Sequence, residues 1–379
     1  RQYMLEDILK GKKSLFETGM QSVLRGQENR VRRIVIKQGN LVVNERSESS
    51  GVCAKVYKNG VSGFASMAEY TPEAAEMVLK AATENAHYLY KYTENKKAAL
   101  SPYASADAYV ESKRFIIDFE QKKLVDLCKQ VDDYIVNKYP KLTSRTVVYR
   151  EDTMEKVICT SDAADGHVAY PRCALYFVLN MESKDGQPLE LMDLVGGFGH
   201  ADDNFKDLSE VYTKIDNVYK RLCDKAEGVY AEAGVKTVIL DSDVAGMIAH
   251  EAVGHTVEAD LVIGGSVAGP NLGKQVASEL VSIVDYAHTA LGQQAPLPVY
   301  LDDEGIIAQD AVLVENGILK GYMHNRETAD RFGVSEKTIQ RDLDTLRNHF
   351  ADSEPRREIL YNSAKGGYLL DDTLSRFLS

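Results

Sequence analysis

The chain has 379 residues, enough for two or three domains and a sizeable core, and its 44% hydrophobic and 27% charged residues are ordinary for a globular protein. A net charge of -12 argues against a broad nucleic-acid-binding surface unless a local patch opposes the average, and no apolar run approaches the roughly 20 residues of a membrane span. The five cysteines are odd in number and form no C-x-x-C pair, which argues for reduced thiols, and no signal-peptide pattern is visible near Arg1. Cytoplasm is the expected location.

The first thirty residues read as a helix with one apolar face (Leu5, Ile8, Leu9, Leu15, Phe16), interrupted by Gly11 and Gly26. From Arg32 the period changes to two. Ile34 and Ile36, then Leu41 and Val43, flank Gln38-Gly39-Asn40 as a β-hairpin. A second hairpin runs Val52–Tyr57, turn Lys58-Asn59-Gly60, and Val61–Ala65. Thr71-Pro72-Glu73 opens a helix to about Tyr90, with Thr71 as cap and Pro72 in its first turn. Ser101–Asp107 is a polar linker, and Ser112–Asn137 is helical by spacing. Thr146–Thr160 and Ala174–Met181 read as strands, Gly196–Gly199 as a tight turn, and Ala201–Ala231 as one long amphipathic helix. Val235–Leu240 reads as a short strand, followed by the cap candidates Asp241-Ser242-Asp243 and a helix from Val244 to Gly254. Strands are expected at Val276–Val284 and Val299–Leu301. A last hairpin is expected at Ala311–Val314 and Ile318–Tyr322 around Asn316-Gly317.

The chemistry concentrates in His250-Glu251-Ala252-Val253-Gly254-His255. Neutral imidazole is a common zinc ligand, and a carboxylate beside the metal can take a proton from water, so two histidines bracketing a glutamate supply ligand, base and ligand. In the shorter motif the histidines are four apart and share a helix face. Here they are five apart, roughly 140° around an ideal helix, too divergent to share one ion. The helix must therefore end, overwind or bulge between them, and Gly254 is placed to allow it. The alternative is a chance grouping on a capped helix.

The motif with its tail, Thr256-Val257-Glu258-Ala259-Asp260, resembles the signature of the TldD/PmbA metallopeptidases, also called modulators of DNA gyrase. Gly51–Tyr57 with Gly60–Ser66, Thr160-Ser161-Asp162, Gly196–Gly199, Asp302-Asp303-Glu304-Gly305 and His324–Ala329 follow in that family's order. The resemblance covers roughly residues 32–333 and is to the catalytic, TldD-like branch. It implies that His250 and His255 bind zinc and that Glu251 activates the attacking water. It also implies a mixed α/β fold, extended or unfolded peptides as substrates, and pairing as a homodimer or with a PmbA/TldE-like subunit. Glu258 and Asp260 are candidates to orient a ligand histidine from behind, or simply a polar helix exit.

The resemblance also implies a third zinc ligand, a cysteine far downstream, but no cysteine follows Cys223. Asp285, Asp302, Asp303 or a partner chain would have to complete the site. From Ser335 the text changes character. Glu327–Leu343 resembles the helix-turn-helix of DeoR-like and WYL-domain regulators, with Leu360-Tyr361 and Gly366–Leu370 as a wing hairpin. Thr338, Gln340 and Arg341 would then face a DNA major groove, although seven basic residues against eight acidic ones from Ser335 onward give no basic excess. An Arg-Phe-Gly-Val stretch is common to both families and marks a point where two genes would join. The expected organisation is a helix-hairpin domain (1–100), a central α/β domain (108–225), a truncated β-rich metallopeptidase domain (232–333) and a helix-turn-helix-like tail (334–379). Three readings follow: a zinc peptidase, a DNA-binding regulator using the peptidase body as a scaffold, and an inactive scaffold that pairs through the family's dimer surface.

Overall fold

The computed structural model describes residues 5–94, 98–103, 107–113, 120–333, 359–362 and 367–370. A short helix α1 (Leu5–Leu9) and a single 3-10 turn (Lys12–Leu15) lead into the strand β1 (Gln21–Lys37). The expected helix over the first thirty residues is therefore confined to its beginning. Residues 21–30 are held extended by hydrogen bonding on both sides, to β2 (Asn40–Lys58) and to β5 (Ser144–Thr160), and pairing of that extent outweighs local helix propensity. β1, β2 and β3 (Val61–Met67) form a continuous meander. Its two turns are the expected ones, with both central residues at positive φ: Gln38 and Gly39 (50° and 81°), Asn59 and Gly60 (46° and 73°).

The helix α2 (Pro72–Tyr92) begins where Thr71 accepts a hydrogen bond from the Ala74 N–H at 3.1 Å. It lies so close to β3 that a Cβ on Gly63 would sit 2.2 Å from the Ala82 carbonyl oxygen. β4 (Tyr109–Lys113) is parallel to β6 (Asp165–Glu182), so the start of the expected helix at Ser112 is a strand. The helix itself, α3, runs Gln121–Lys138. β7 (Pro188–Phe198) pairs with β6 and takes in Gly196 and Gly197, which are strand residues rather than a turn. A Cβ on Gly196 would lie 2.2 Å from the Cys173 carbonyl oxygen, which is why glycine stands there. The expected long helix divides into α4 (Ala201–Asn204) and α5 (Ser209–Ala226), separated by buried Phe205 and Leu208.

The seven strands form one sheet in the order β3-β2-β1-β5-β6-β4, with β7 on the far half of β6. The units expected at 1–100 and 108–225 share this sheet. One face carries α2 over β2 and β3, and α3 and α5 over the middle. Val211, Ile215, Val218 and Leu222 of α5, each at most 1% exposed, face that core with helical spacing. At about 1.5–3 kcal/mol each, they outweigh the polar composition of that helix.

Of the remaining residues, Leu301 and Glu304 lie against the opposite face of the sheet. Val235–Leu240 is exposed and forms no strand among the described residues. Then come α6 (Ser242–Ile248), a π-turn (Ala249–Gly254), a 3-10 turn (His255–Val257) and α7 (Ala259–Ile263). The expected strand at Val276–Val284 shrinks to β8 (Ile283–Asp285), and that at Val299–Leu301 to one bridge between Leu301 and Ile307. β9 (Thr289–Ala290) and β10 (Gln293–Gln294) form a minimal hairpin. β11 (Ala311–Glu315) and β12 (Ile318–Leu319) form the expected one, with Asn316 and Gly317 at positive φ. α8 (Arg326–Phe332) ends at Gly333 in the left-handed region. β13 (Ile359–Asn362) and β14 (Gly367–Leu370) pair antiparallel.

Candidate metal centre

The Asp241 side chain accepts the Val244 N–H at 3.0 Å and starts α6. The helix then widens: the His255 N–H donates to the His250 carbonyl, an i to i+5 bond between the two histidines themselves. A π-turn stacks residues five apart, so the extra residue between the histidines is absorbed by a bulge. Of the three alternatives an ideal helix leaves, overwinding is excluded. Gly254 contributes no unusual conformation (φ -48°, ψ -58°), and a Cβ there would meet only ordinary contacts.

The result gathers His250, Glu251 and His255, each offering one ligand atom, within 4.8 Å of one another. The two imidazole rings stand 4.5 Å apart at 73°. Tetrahedral ligands about 2.0–2.1 Å from an ion are roughly 3.3–3.5 Å apart, so an ion would need only a modest closure of three exposed side chains. The Glu258 carboxylate lies 3.0 Å from Nδ1 of His255, leaving Nε2 on the side of Glu251, 3.9 Å away. That arrangement fixes a ligand-competent tautomer with Nδ1 as donor. Asp260 does something else: its carboxylate accepts the Leu261 N–H at 2.9 Å. The two imidazoles fit as ligands of a divalent zinc ion, with the Glu251 carboxylate beside them as a base.

No other histidine, cysteine or acidic group joins the cluster among the described residues. Asp302 and Asp303 are engaged elsewhere. Asp302 Oδ1 accepts the N–H groups of Glu304 and Ile306, and Asp303 pairs with Lys156 and Arg25. Asp285 is raised above the ordinary carboxylate range by burial and by nearby Asp310.

The C-terminal end of the motif is anchored through segments that the sequence marks by resemblance but gives no role. Glu258 bridges Met323 in parallel, with Met323 N–H donating to Val257 and Ala259 N–H to Met323. Three residues on, Arg326 is 1% exposed and donates to both oxygens of Asp162 at 3.0 and 2.5 Å. Its backbone N–H donates to Glu304, which also accepts from Lys55 and Tyr57 at 2.8 Å. Burial alone would raise Glu304, but the Lys55 ammonium and these donors hold it below its ordinary value. α8 is thus built into the body at its first turn. Thr338, Gln340 and Arg341 lie outside the described residues.

The model of the PmbA/TldA metallopeptidase C-terminal domain matches residues 233–370, and that of domain 1 matches residues 23–86. A metalloprotease of Methanocaldococcus jannaschii is 31% identical over 335 residues, covering 84% of this chain and 68% of that protein. The chain belongs to the PmbA/TldD metallopeptidase family. A zinc metalloprotease TldD homolog of Saccharolobus solfataricus is 28% identical over 208 residues, 55% of this chain and 45% of that relative. Two solved structures share the fold. A protein of Bacteroides thetaiotaomicron, named for a modulator of DNA gyrase, superposes with a TM-score of 0.66 at 14% identity, covering 87% of this chain and 74% of its own. TldE of Thermococcus kodakarensis gives 0.57 at 14%, covering 97% and 76%. The match to the family's C-terminal domain runs past Gly333 into the helix-turn-helix-like stretch. Among the described residues no helix is long and apolar enough to cross a membrane.

Proposed function

We propose that this chain is a zinc-dependent peptidase of the TldD type, acting on extended peptides. The observation that carries the reading is the π-turn, which draws two imidazoles and a carboxylate into one cluster on exposed surface. His250 and His255 would hold the ion, the latter oriented by Glu258, and Glu251 would take the proton of the attacking water. Zinc bound there supplies Lewis acidity toward water and a peptide carbonyl. The site's openness suits a peptide laid along the surface in extended form.

Two histidines alone hold an ion more weakly than three ligands do, and a partner chain would supply the third. We take that partner to be a second copy or a TldE-like subunit, in keeping with the likeness to TldE. The five free cysteines fit a reducing cytoplasm. DNA binding has less support, because Arg326 and Thr328 of α8 are buried in the body.

Metal analysis of the purified chain, with and without His255→Ala, tests the reading. It requires stoichiometric zinc in the unaltered chain and its loss in the variant. No zinc in either refutes it.

A further inference from the structure

A cavity of about 520 Å³ lies between the sheet face opposite the helices and the loop of residues 298–304. Lys55, Lys156 and Tyr170 line it from the sheet, Tyr300 and Asp302 from the loop, and His324 at one end. Its size is that of a ligand pocket. His324 directly follows Met323, which bridges Glu258, so one residue of the cavity wall is next in sequence to the one that anchors the candidate metal centre.

The charges in its wall are unevenly matched. Lys55 pairs with Glu304 at 2.8 Å, and Lys156 with Asp303 at 3.0 Å, where Arg25 also closes in. Asp302 forms no direct ion pair among the described residues, and the nearby Lys156 ammonium is already bonded to Asp303 and the Leu301 carbonyl. Its Oδ1 accepts two backbone N–H groups at 2.8 Å, while its Oδ2 accepts none among the described residues. We propose that this cavity is a subsite for a basic side chain, lysine or arginine, of a peptide substrate, with Asp302 as the counter-charge.

A partly buried carboxylate with a vacant oxygen gains most from an ammonium or guanidinium, which restores the solvation it has lost. Burial pushes Asp302 up to about 6, against the pull of two backbone N–H groups and of the Lys156 charge. The rest of the lining suits the remainder of a basic residue. Met154 and Val168 offer apolar surface to a methylene stem, and the rings of Tyr170 and Tyr300 suit the cation itself. The net charge of -12 draws cationic peptides toward the molecule. The bland alternative is that Asp302 only closes its own turn, and Asp302→Asn separates the two, since the amide oxygen still accepts both N–H groups.

The inference rests on the peptidase reading, but its test does not need catalysis. The full chain carrying Glu251→Gln, in chelator, is titrated into two fluorescein-labelled hexapeptides that differ only in a central arginine or citrulline. Polarisation is expected to show the arginine peptide binding about tenfold tighter or more. Asp302→Asn should bring it down to the citrulline peptide, whose own affinity stays put. Equal binding of the two peptides, binding of neither, or an arginine preference that survives Asp302→Asn overturns the proposal. The peptide comparison leaves the cavity unaltered, so it decides even where the variant does not fold. Zinc content reports separately on the metal centre.

Discussion

Arg326 allows a test whose magnitude comes from the geometry. Its side chain is 0% exposed and its Nε has no partner, so the guanidinium depends on Asp162 for both of its other nitrogens. The rings of Tyr57 and Tyr103, 5.9 and 5.2 Å away, soften its surroundings without replacing a carboxylate. Asp162→Ala strands a buried cation, a change that costs about 3–5 kcal/mol. Arg326→Met removes the cation instead and leaves Asp162, 17% exposed and still accepting from Gln21, in a tolerable position. That loss should be nearer 1–2 kcal/mol, the scale of an ordinary hydrogen-bond deletion.

The order of the two losses is the decisive quantity, because it separates a buried charge pair from generic packing. Urea unfolding of both single variants and the double variant measures it. The double variant should lose less than the sum of the singles, since removing the cation relieves the penalty of removing its partner. In thermal scans the Asp162→Ala loss corresponds to a drop of roughly 4–6 °C in Tm for a chain of this size. If Asp162→Ala costs under about 1 kcal/mol, or no more than Arg326→Met, the clasp does not hold the two parts of the molecule together as argued.

Two further outcomes follow from the same contacts. Asp302 has its pKa raised by burial to about 6, above the unfolded value near 4, so its ionisation opposes folding and stability falls as pH rises from 4 through 6. Asp302→Asn should therefore raise Tm at pH 8 and leave it nearly unchanged at pH 4; equal effects at both values would show that the carboxylate is not desolvated. Glu258→Ala should weaken zinc binding by about 10- to 100-fold in chelator competition, whereas Asp260→Ala should not change it, and the reverse ranking would move the orienting role to Asp260.

What the sequence discloses divides along physical lines. The hairpins were legible because Asn-Gly and Gln-Gly tolerate positive φ at both turn positions, a demand met by few dipeptides. β1 was misread in its first half because Val23 and Leu24 are both buried, so the alternation that marks a strand with one wet face is absent. β7 hid behind two glycines, where glycine usually means a turn, although Gly196 is there for close packing on β6. At the candidate centre the histidines and glutamate were visible, as was the need for a departure from helical geometry. The direction of that departure was not, because hydrogen bonds of i to i+5 carry no composition of their own. The Arg326–Asp162 pair joins residues 164 apart, a separation over which no local pattern speaks.

These points bear on how the motif keeps its shape. Neither α6 nor the π-turn contains a buried residue, so little packing fixes their side chains. The fixed points come just after the histidines, where Val257 and Ala259 are 1% exposed and bond to Met323 on either side of Glu258. From Met323 the chain runs directly to Arg326, held in turn by Asp162 and Glu304. The candidate centre is thus tethered at one end, through Glu258 and this clasp, to the large sheet. Loosening the clasp should then show first at His255, the histidine whose ring Glu258 orients, and only later at His250, whose ring has no such partner among the described residues. Ring nitrogen shifts of the two histidines in Asp162→Ala would reveal that order. Simultaneous loss of both would mean that α6, not the clasp, sets the geometry.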